Sequence, residues 1–431
     1  MNCNTQNEKI ELLTEKWAIV GVDVGSEKHY ARVFTNRKIE LSKKAFGFTN
    51  DLDGFQTFER WIAAIVGTYK LKFIMCGMEP TGHYWFNLAS YMKNHGMMVV
   101  HVNPSHVKHS KELDDSNPAK NDKKDPKTIA GLLCDGRYMF PYMPEGIYAE
   151  IRELNNLRLT ASQNLVRVRN KLERWISIYF PEFHTVFKGN DSKSGRLLLE
   201  EAPLPEDVCK LGSEGVNQIW RNTKLRGVGK KKAEQIVKAA ENSIGRKECA
   251  WTAREEIAEL LEDLDKYRIR EERILANLYE KVMKVPNIEL MLEINGVGMK
   301  TTAGFIAEIG DISRFDDPKR IQKLSGLAIV SDDSGKHTGQ SSISYRGRKI
   351  LRYTLYQCAM SVISKNPDFA AVHEYYTTRS QNPLKGMQSV MAVACKLIRV
   401  FYTILTKGVR YDGRKMLGDI KRPALAEAHA S

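Results

Sequence analysis

The chain has 431 residues, 42% of them hydrophobic, with 66 Lys and Arg against 52 Asp and Glu, a formal charge of +14 and a pI near 9.3. That length exceeds one ordinary core, so two or three domains are expected, and the hydrophobic share excludes a wholly disordered protein. The positive excess favours a polyanionic partner through phosphate neutralisation and counterion release, although a merely soluble basic protein could carry the same charge.

The excess is concentrated toward one end: residues 335–431 hold 16 Lys and Arg against 5 Asp and Glu. A nucleic-acid surface is therefore expected to involve the C-terminal third. The seven cysteines are scattered, odd in number and lack a CxxC pair. This argues against a zinc site or disulfide framework and suits a reducing cytoplasm. The first residues lack the apolar core of a signal peptide, and no run of about 18 apolar residues is evident, so no membrane partner is expected.

Residues 1–16 read as an N-terminal extension. Over 17–143, strand and helix signals alternate. WAIVGVDVG, HYARVFTN and RKIELSKKAFGFTN read as strands, and DLDGFQTFERWIAAIVGTYK as a helix opened by an Asp cap. KFIMCGME is another buried strand. HYWFNLASYMKNHG follows as a helix ending in a glycine, and MMVVHVNP as a fifth strand ended by proline. Such an order predicts helices packed on a mixed sheet.

Residues 144–285 change character. Ile147, Ile151, Leu154, Ala161, Leu165, Val168, Leu172, Trp175 and Tyr179 recur at steps of three and four, interrupted by Arg158. Ile257, Leu260, Leu264, Tyr267, Ile274 and Leu278 repeat the pattern, with Glu271 as the flaw. Two long helices with a heptad seam are expected, as an antiparallel coiled-coil arm, a dimer contact, or two amphipathic helices on a core. A small helical insert, 181–250, separates them. Residues 286–410 read as mainly helical, broken by a polar segment at 331–347, and 411–431 as a flexible tail. Residues 383–408 read as a core helix in which Lys396, Arg399 and Lys407 form a solvated face or touch phosphate.

Asp23 ends the first buried strand and Glu79 the second, and both interrupt apolar runs. Asp122 and Asp125 stand three apart at a helix start, a spacing that directs two carboxylates to one face. Asp125 also precedes Pro126, which suits an N-cap followed by proline. Four carboxylates from these positions suit two hard divalent cations, Mg²⁺ or alternatively Mn²⁺. Two glycine hairpins follow. Gly227, Gly229 and Lys230 form one, and Gly296, Gly298 and Lys300 the other; either could bring backbone N–H groups against a phosphate or simply join packed helices.

GVDVG, MEPTGHYW and NDKKDPKTIA together resemble the DEDD-type transposases of insertion sequences, related to the Piv DNA invertases. LEINGVGMKTTAGFIAEIGDISRF and LSGLAIVSDDSGKHTGQSSISYRG carry the same resemblance. It implies an α/β ribonuclease H-like (RuvC-like) N-terminal domain, a coiled-coil insert and a mainly α-helical C-terminal transposase domain. It further implies that Asp23, Glu79, Asp122 and Asp125 ligate metal, and that Ser334 attacks DNA to form a phosphoserine intermediate. Pro126 departs from the small residue more usual at its position, and Asp332 and Asp333 precede Ser334, so a metal or Lys336 must offset their charge. Ser331, Ser341, Ser342 and Ser344 stand in the same neighbourhood. Lys336, Arg346 and Arg348 join the hairpins as candidate nucleic-acid contacts. Donor and target DNA, a structured guide RNA and a homodimer or homotetramer are the implied partners. A junction-resolving nuclease that uses water, and a non-catalytic nucleic-acid-binding protein, are the alternative readings.

Overall fold

The computed structural model describes residues 5–80, 82–114, 124–189, 192–330 and 342–418. Asp122, Ser334 and Lys336 lie outside the described residues. The chain divides into two compact units, Met1–Met143 and Pro144–Ser431.

The first unit opens, within the N-terminal extension, with a short helix α1 (Gln6–Glu11); the Lys9 ammonium donates to the Tyr138 carbonyl and the Gln6 side chain to that of Asp135. There follow β1 (Trp17–Asp23), β2 (Lys28–Phe34), β3 (Phe46–Thr49) and α2 (Leu52–Thr68). The Asp51 carboxylate caps α2 by accepting from the Gly54 N–H at 2.7 Å, as its position before the apolar run implies. Next come β4 (Phe73–Met78), α3 (Trp85–Asn94), β5 (Met98–Val102), α4 (Pro104–Asp114), α5 (Asp125–Cys134) and a two-residue β6 (Tyr138–Met139). Gly96, at φ +75°, ends α3 in the left-handed conformation that favours glycine.

The six strands form one sheet in the order β3-β2-β1-β4-β5-β6, with β1, β4 and β5 parallel. Strand alternation sorts the core onto two faces. Ala18, Val20, Val22, Cys76 and Met78 pack with α2 and α3. Trp17, Ile19 and Met75 pack on the opposite face with Ile129, Ala130, Leu132 and Leu133 of α5.

The second unit begins with α6 (Gly146–Tyr179), 34 residues long, followed by α7 (Phe183–Val186), α8 (Lys193–Glu201), α9 (Pro205–Asn222), α10 (Lys230–Glu241) and the 33-residue α11 (Ala250–Val282). Helices α6 and α11 run antiparallel within one chain. Lys281 pairs with Glu150 near one end, and the Trp175 indole donates to the Ala253 carbonyl at 2.9 Å near the other. At that second end the pair shares a core with α7–α10, built around Trp175, Phe180, Phe183, Phe187 and Trp220.

At the opposite end Ile151, Leu278 and Val282 enter a separate core. It is completed by α12 (Ile288–Leu292), α13 (Met299–Ile309), α14 (Pro318–Leu324), α15 (Lys349–Lys365), α16 (Pro367–Thr378) and α17 (Gly386–Lys407). A two-stranded ladder, β7 (Ile329–Val330) and β8 (Ser342–Ile343), precedes α15. Helix α17 is long and apolar enough to cross a membrane by composition alone, yet Val393, Ala394, Leu397, Ile398, Phe401 and Ile404 are spent in this core. Lys396 is buried too, so the expected solvated face is reduced to Arg399 and Lys407. Part of the expected flexible tail is also packed: α18 (Gly413–Leu417) buries Met416, and the Tyr411 hydroxyl donates to Asp368 at 3.1 Å.

Candidate active site

The site is built on two parallel neighbours, β1 and β4. Their register pairs Gly21 with Gly77 and Val22 with Met78, so Asp23 and Glu79 are the next residues at the carboxyl ends of adjacent strands. Adjacent strands lie about 4.8 Å apart. Asp23 shares the face of Gly21, Ile19 and Trp17, and the alternation of β4 carries Glu79 onto the face of Gly77 and Met75. That is the face α5 covers.

Glycine makes this approach possible. A Cβ on Gly21 would overlap the Pro126 carbonyl oxygen, and one on Gly77 would meet the Leu133 side chain at 2.5 Å. The first turn of α5 is thereby seated on β1 two residues before Asp23. Asp125 is the first residue of α5 and does not cap it: Lys124 takes the cap position without a side-chain hydrogen bond. Instead the Asp125 carboxylate, with side-chain exposure of 14%, accepts from the Lys111 ammonium on α4 at 2.5 Å. The N-cap alternative for Asp125 therefore gives way to an ion pair.

Asp23, Glu79 and Asp125 thus come from two strand ends and the helix docked upon them. Among the described residues, no group of three or more His, Cys, Asp or Glu side chains is gathered closely enough to hold a metal ion. What fits a hard cation is the chemistry: carboxylate oxygen donors, one of them mostly buried and already balanced by an ammonium.

The other candidates are more dispersed. Arg348 leads into α15 and donates to the Glu308 carbonyl and carboxylate, both at 3.2 Å. Arg346 is exposed just before it. Gly296 and Gly298 join α12 to α13; Gly227 and Gly229 join α9 to α10. Lys300 is engaged, its ammonium 2.9 Å from the Glu271 carboxylate.

Three features escaped the reading of the sequence. Lys111 stands 14 residues before its carboxylate, and no local spacing marks that pair. Arg221 and Lys224 border the first hairpin, beside its own Arg226. The glycine pair did leave a signal: each strand-end carboxylate is preceded two residues earlier by glycine, in GVD and GME.

Two stretches of the chain match transposase families. A DEDD transposase profile of the IS110 type matches residues 20–181, and one described as the transposase IS116/IS110/IS902 family matches residues 288–374. The chain belongs to this transposase family. A relative from Streptomyces clavuligerus, "Insertion element IS116 uncharacterized 44.8 kDa protein", is 23% identical over 90% of this chain and 94% of its own length. The "Insertion element IS900 uncharacterized 42 kDa protein" of Mycobacterium paratuberculosis is 23% identical over 90% and 95%. The "Pilin gene-inverting protein" of Moraxella bovis is 30% identical over 29% of this chain and 38% of its own length. Family membership makes the chain a DNA-recombination enzyme and implies a ribonuclease H-like fold for the unit carrying Asp23 and Glu79, in keeping with its mixed sheet.

Proposed function

We propose that the chain cuts and rejoins DNA with a carboxylate metal site, formed by Asp23, Glu79, Asp122 and Asp125, and a serine nucleophile, Ser334. What supports the first half is that two strand-end carboxylates stand on adjacent parallel strands, on the sheet face that α5 covers with Asp125 as its first residue. Two divalent ions, Mg²⁺ or Mn²⁺, would be held by these residues and would stabilise charge on the phosphate and leaving oxygens. Lys111 neutralises Asp125 until a cation takes that role.

The Ser334 hydroxyl loses its proton to a neighbouring base and attacks the DNA phosphorus. A phosphoserine ester forms as the sugar–oxygen bond to phosphorus breaks, and the departing sugar oxygen takes up a proton. A hydroxyl of the partner strand then attacks the phosphoserine, restoring serine and joining DNA. One ester is exchanged for another at each step, so no ATP is required.

The family resemblance extends the proposal to a structured guide RNA pairing with donor and target DNA. It also extends to a homodimer or homotetramer in which metal site and serine come from different subunits, with α6 and α11 as a coiled-coil arm. Sequencing nucleic acid that copurifies with the full chain tests the guide: a discrete structured RNA is expected, and its reproducible absence overturns guidance. For the serine, a nicked DNA substrate should give a denaturant-resistant protein–DNA adduct that Ser334→Ala abolishes. Undiminished strand exchange by Ser334→Ala would overturn the serine mechanism.

A further inference from the structure

The two glycine hairpins are near-copies in sequence, yet the structure gives them different surroundings. In the second, a Cβ on Gly296 would lie 2.8 Å from Val362 Cα and 2.9 Å from the Ser361 carbonyl oxygen. Glycine is there because α15 packs against the turn. Lys300, the cation that would reach a phosphate, already pairs with Glu271. That hairpin is a joint between packed helices.

The first hairpin has neither feature. Gly227, at φ +80°, has no atom within 4 Å of where a Cβ would be, so its outer surface is open. Beside it is a cavity of about 530 Å³ lined by Arg221, Lys224, Leu225, Arg226, Gly227 and Val228. A Cβ on Gly229 would lie 3.8 Å from the Arg221 guanidinium, so that cation stands at the backbone leading into α10. Residues 221–232 contain six cations and no acid. Arg221, Lys224 and Arg226 have no acidic side chain within ion-pair distance among the described residues, whereas Arg196 and Arg254 of the same lobe are each paired with two carboxylates. Six like charges within twelve residues repel one another, and a polyanion relieves that repulsion while releasing counterions.

We propose that the α9–α10 hairpin, and not its twin at Gly296, grips the phosphodiester backbone of a nucleic acid through Arg221, Lys224 and Arg226. The contact is independent of base sequence, because guanidinium and ammonium groups around an open turn recognise phosphate rather than base edges. The inference rests on reading the chain as an enzyme of nucleic acid, and it adds a holding site remote in sequence from Asp23, Glu79 and Asp125.

The test is equilibrium binding of the full chain, in EDTA so that no cutting occurs, across a range of salt concentrations. Two probes are used: a random-sequence DNA duplex and a structured RNA hairpin of similar charge. The variant R221Q/K224Q/R226Q is compared with wild type and with K300Q, each checked for an unchanged circular-dichroism spectrum. The expected result is a drop of about 2 to 3 in the slope of log affinity against log salt for the triple variant, with K300Q close to wild type. A drop with DNA alone, RNA alone or both supports the grip and names its source. Unchanged slopes for both probes, or an equal drop from K300Q, overturn it. Asp23→Asn should leave these slopes intact while abolishing strand exchange, which separates failure of the grip from failure of the recombinase reading.

Discussion

Gly21 of β1 stands directly opposite Gly77 of β4 in the parallel register, and the pair forms the floor on which α5 rests. Two residues beyond this floor are Asp23 and Glu79. The spacing between helix and sheet, and so the position of Asp125, is set by the absence of two side chains. Gly21→Val should force α5 outward, because its Cβ would overlap main chain at Pro126 that cannot rotate away. A loss of about 3 kcal/mol in denaturant unfolding is expected, with strand exchange abolished. Gly77→Ala meets only the Leu133 side chain and should cost less; equal losses would remove the distinction.

Arg158 and Glu271 are the two residues that interrupt the heptad patterns, and the antiparallel pairing of α6 with α11 makes them electrostatic neighbours. Burial holds the Arg158 guanidinium below its usual range, Glu271 partly offsets that, and Asn155 accepts from Arg158 at 3.0 and 3.2 Å. Glu271→Gln should destabilise the protein by about 1 kcal/mol, by removing its ion pair with Lys300 and the charge that offsets the burial of Arg158. The double change Arg158→Met, Glu271→Leu should recover most of that loss. Thermal unfolding of the three proteins checks this; a neutral single variant would contradict it.

Under the proposed metal site, Lys111 would compete with metal for Asp125, to which it is ion-paired. Lys111→Met should therefore lower the Mg²⁺ concentration for half-maximal DNA cleavage by about 2- to 5-fold, the range expected of a partly exposed ion pair. Magnesium titrations of cleavage rate read this directly, and an increased requirement would assign Lys111 to the support of the site instead.

His101 of β5 pairs in register with Met78 and packs edge-on against Trp85. Burial lowers its pKa from 6.5 to about 4. His29 is lowered in the same direction, also by burial. Between those two pH values the unfolded chain binds a proton at His101 that the folded chain refuses, so stability falls as pH drops from about 6.5 to 4 and levels off below. His101→Gln should flatten that slope in unfolding measured across the interval. An unchanged slope would place the acid sensitivity elsewhere.

Much of this architecture was legible in the sequence for physical reasons. Unbroken apolar runs marked β1, β4 and β5, the Asp51 cap marked α2, and the three-four spacing marked α6 and α11. Strand β3 proved shorter than its apolar signal, since only Phe46–Thr49 pairs and the preceding residues make a single bridge, Phe34 with Glu40. Asp23 and Glu79 stood out because a carboxylate ending an apolar strand has no packing explanation. Long-range pairings left no such trace. Lys111 with Asp125 and Lys300 with Glu271 depend on how helices dock, and local spacing does not encode docking. The hairpins show the same limit: one sequence pattern serves a packed joint at Gly296 and an open turn at Gly227.

Under the proposed function the strand-end carboxylates run divalent-dependent chemistry on DNA. It is tested most directly by strand exchange measured against Mg²⁺ concentration for wild type, Asp23→Asn and Glu79→Gln, with DNA binding followed in parallel. A loss of at least about 1,000-fold in rate is expected for each variant, roughly 4 kcal/mol of barrier, with binding and unfolding unchanged. Full Mg²⁺-dependent strand exchange by either variant would contradict it.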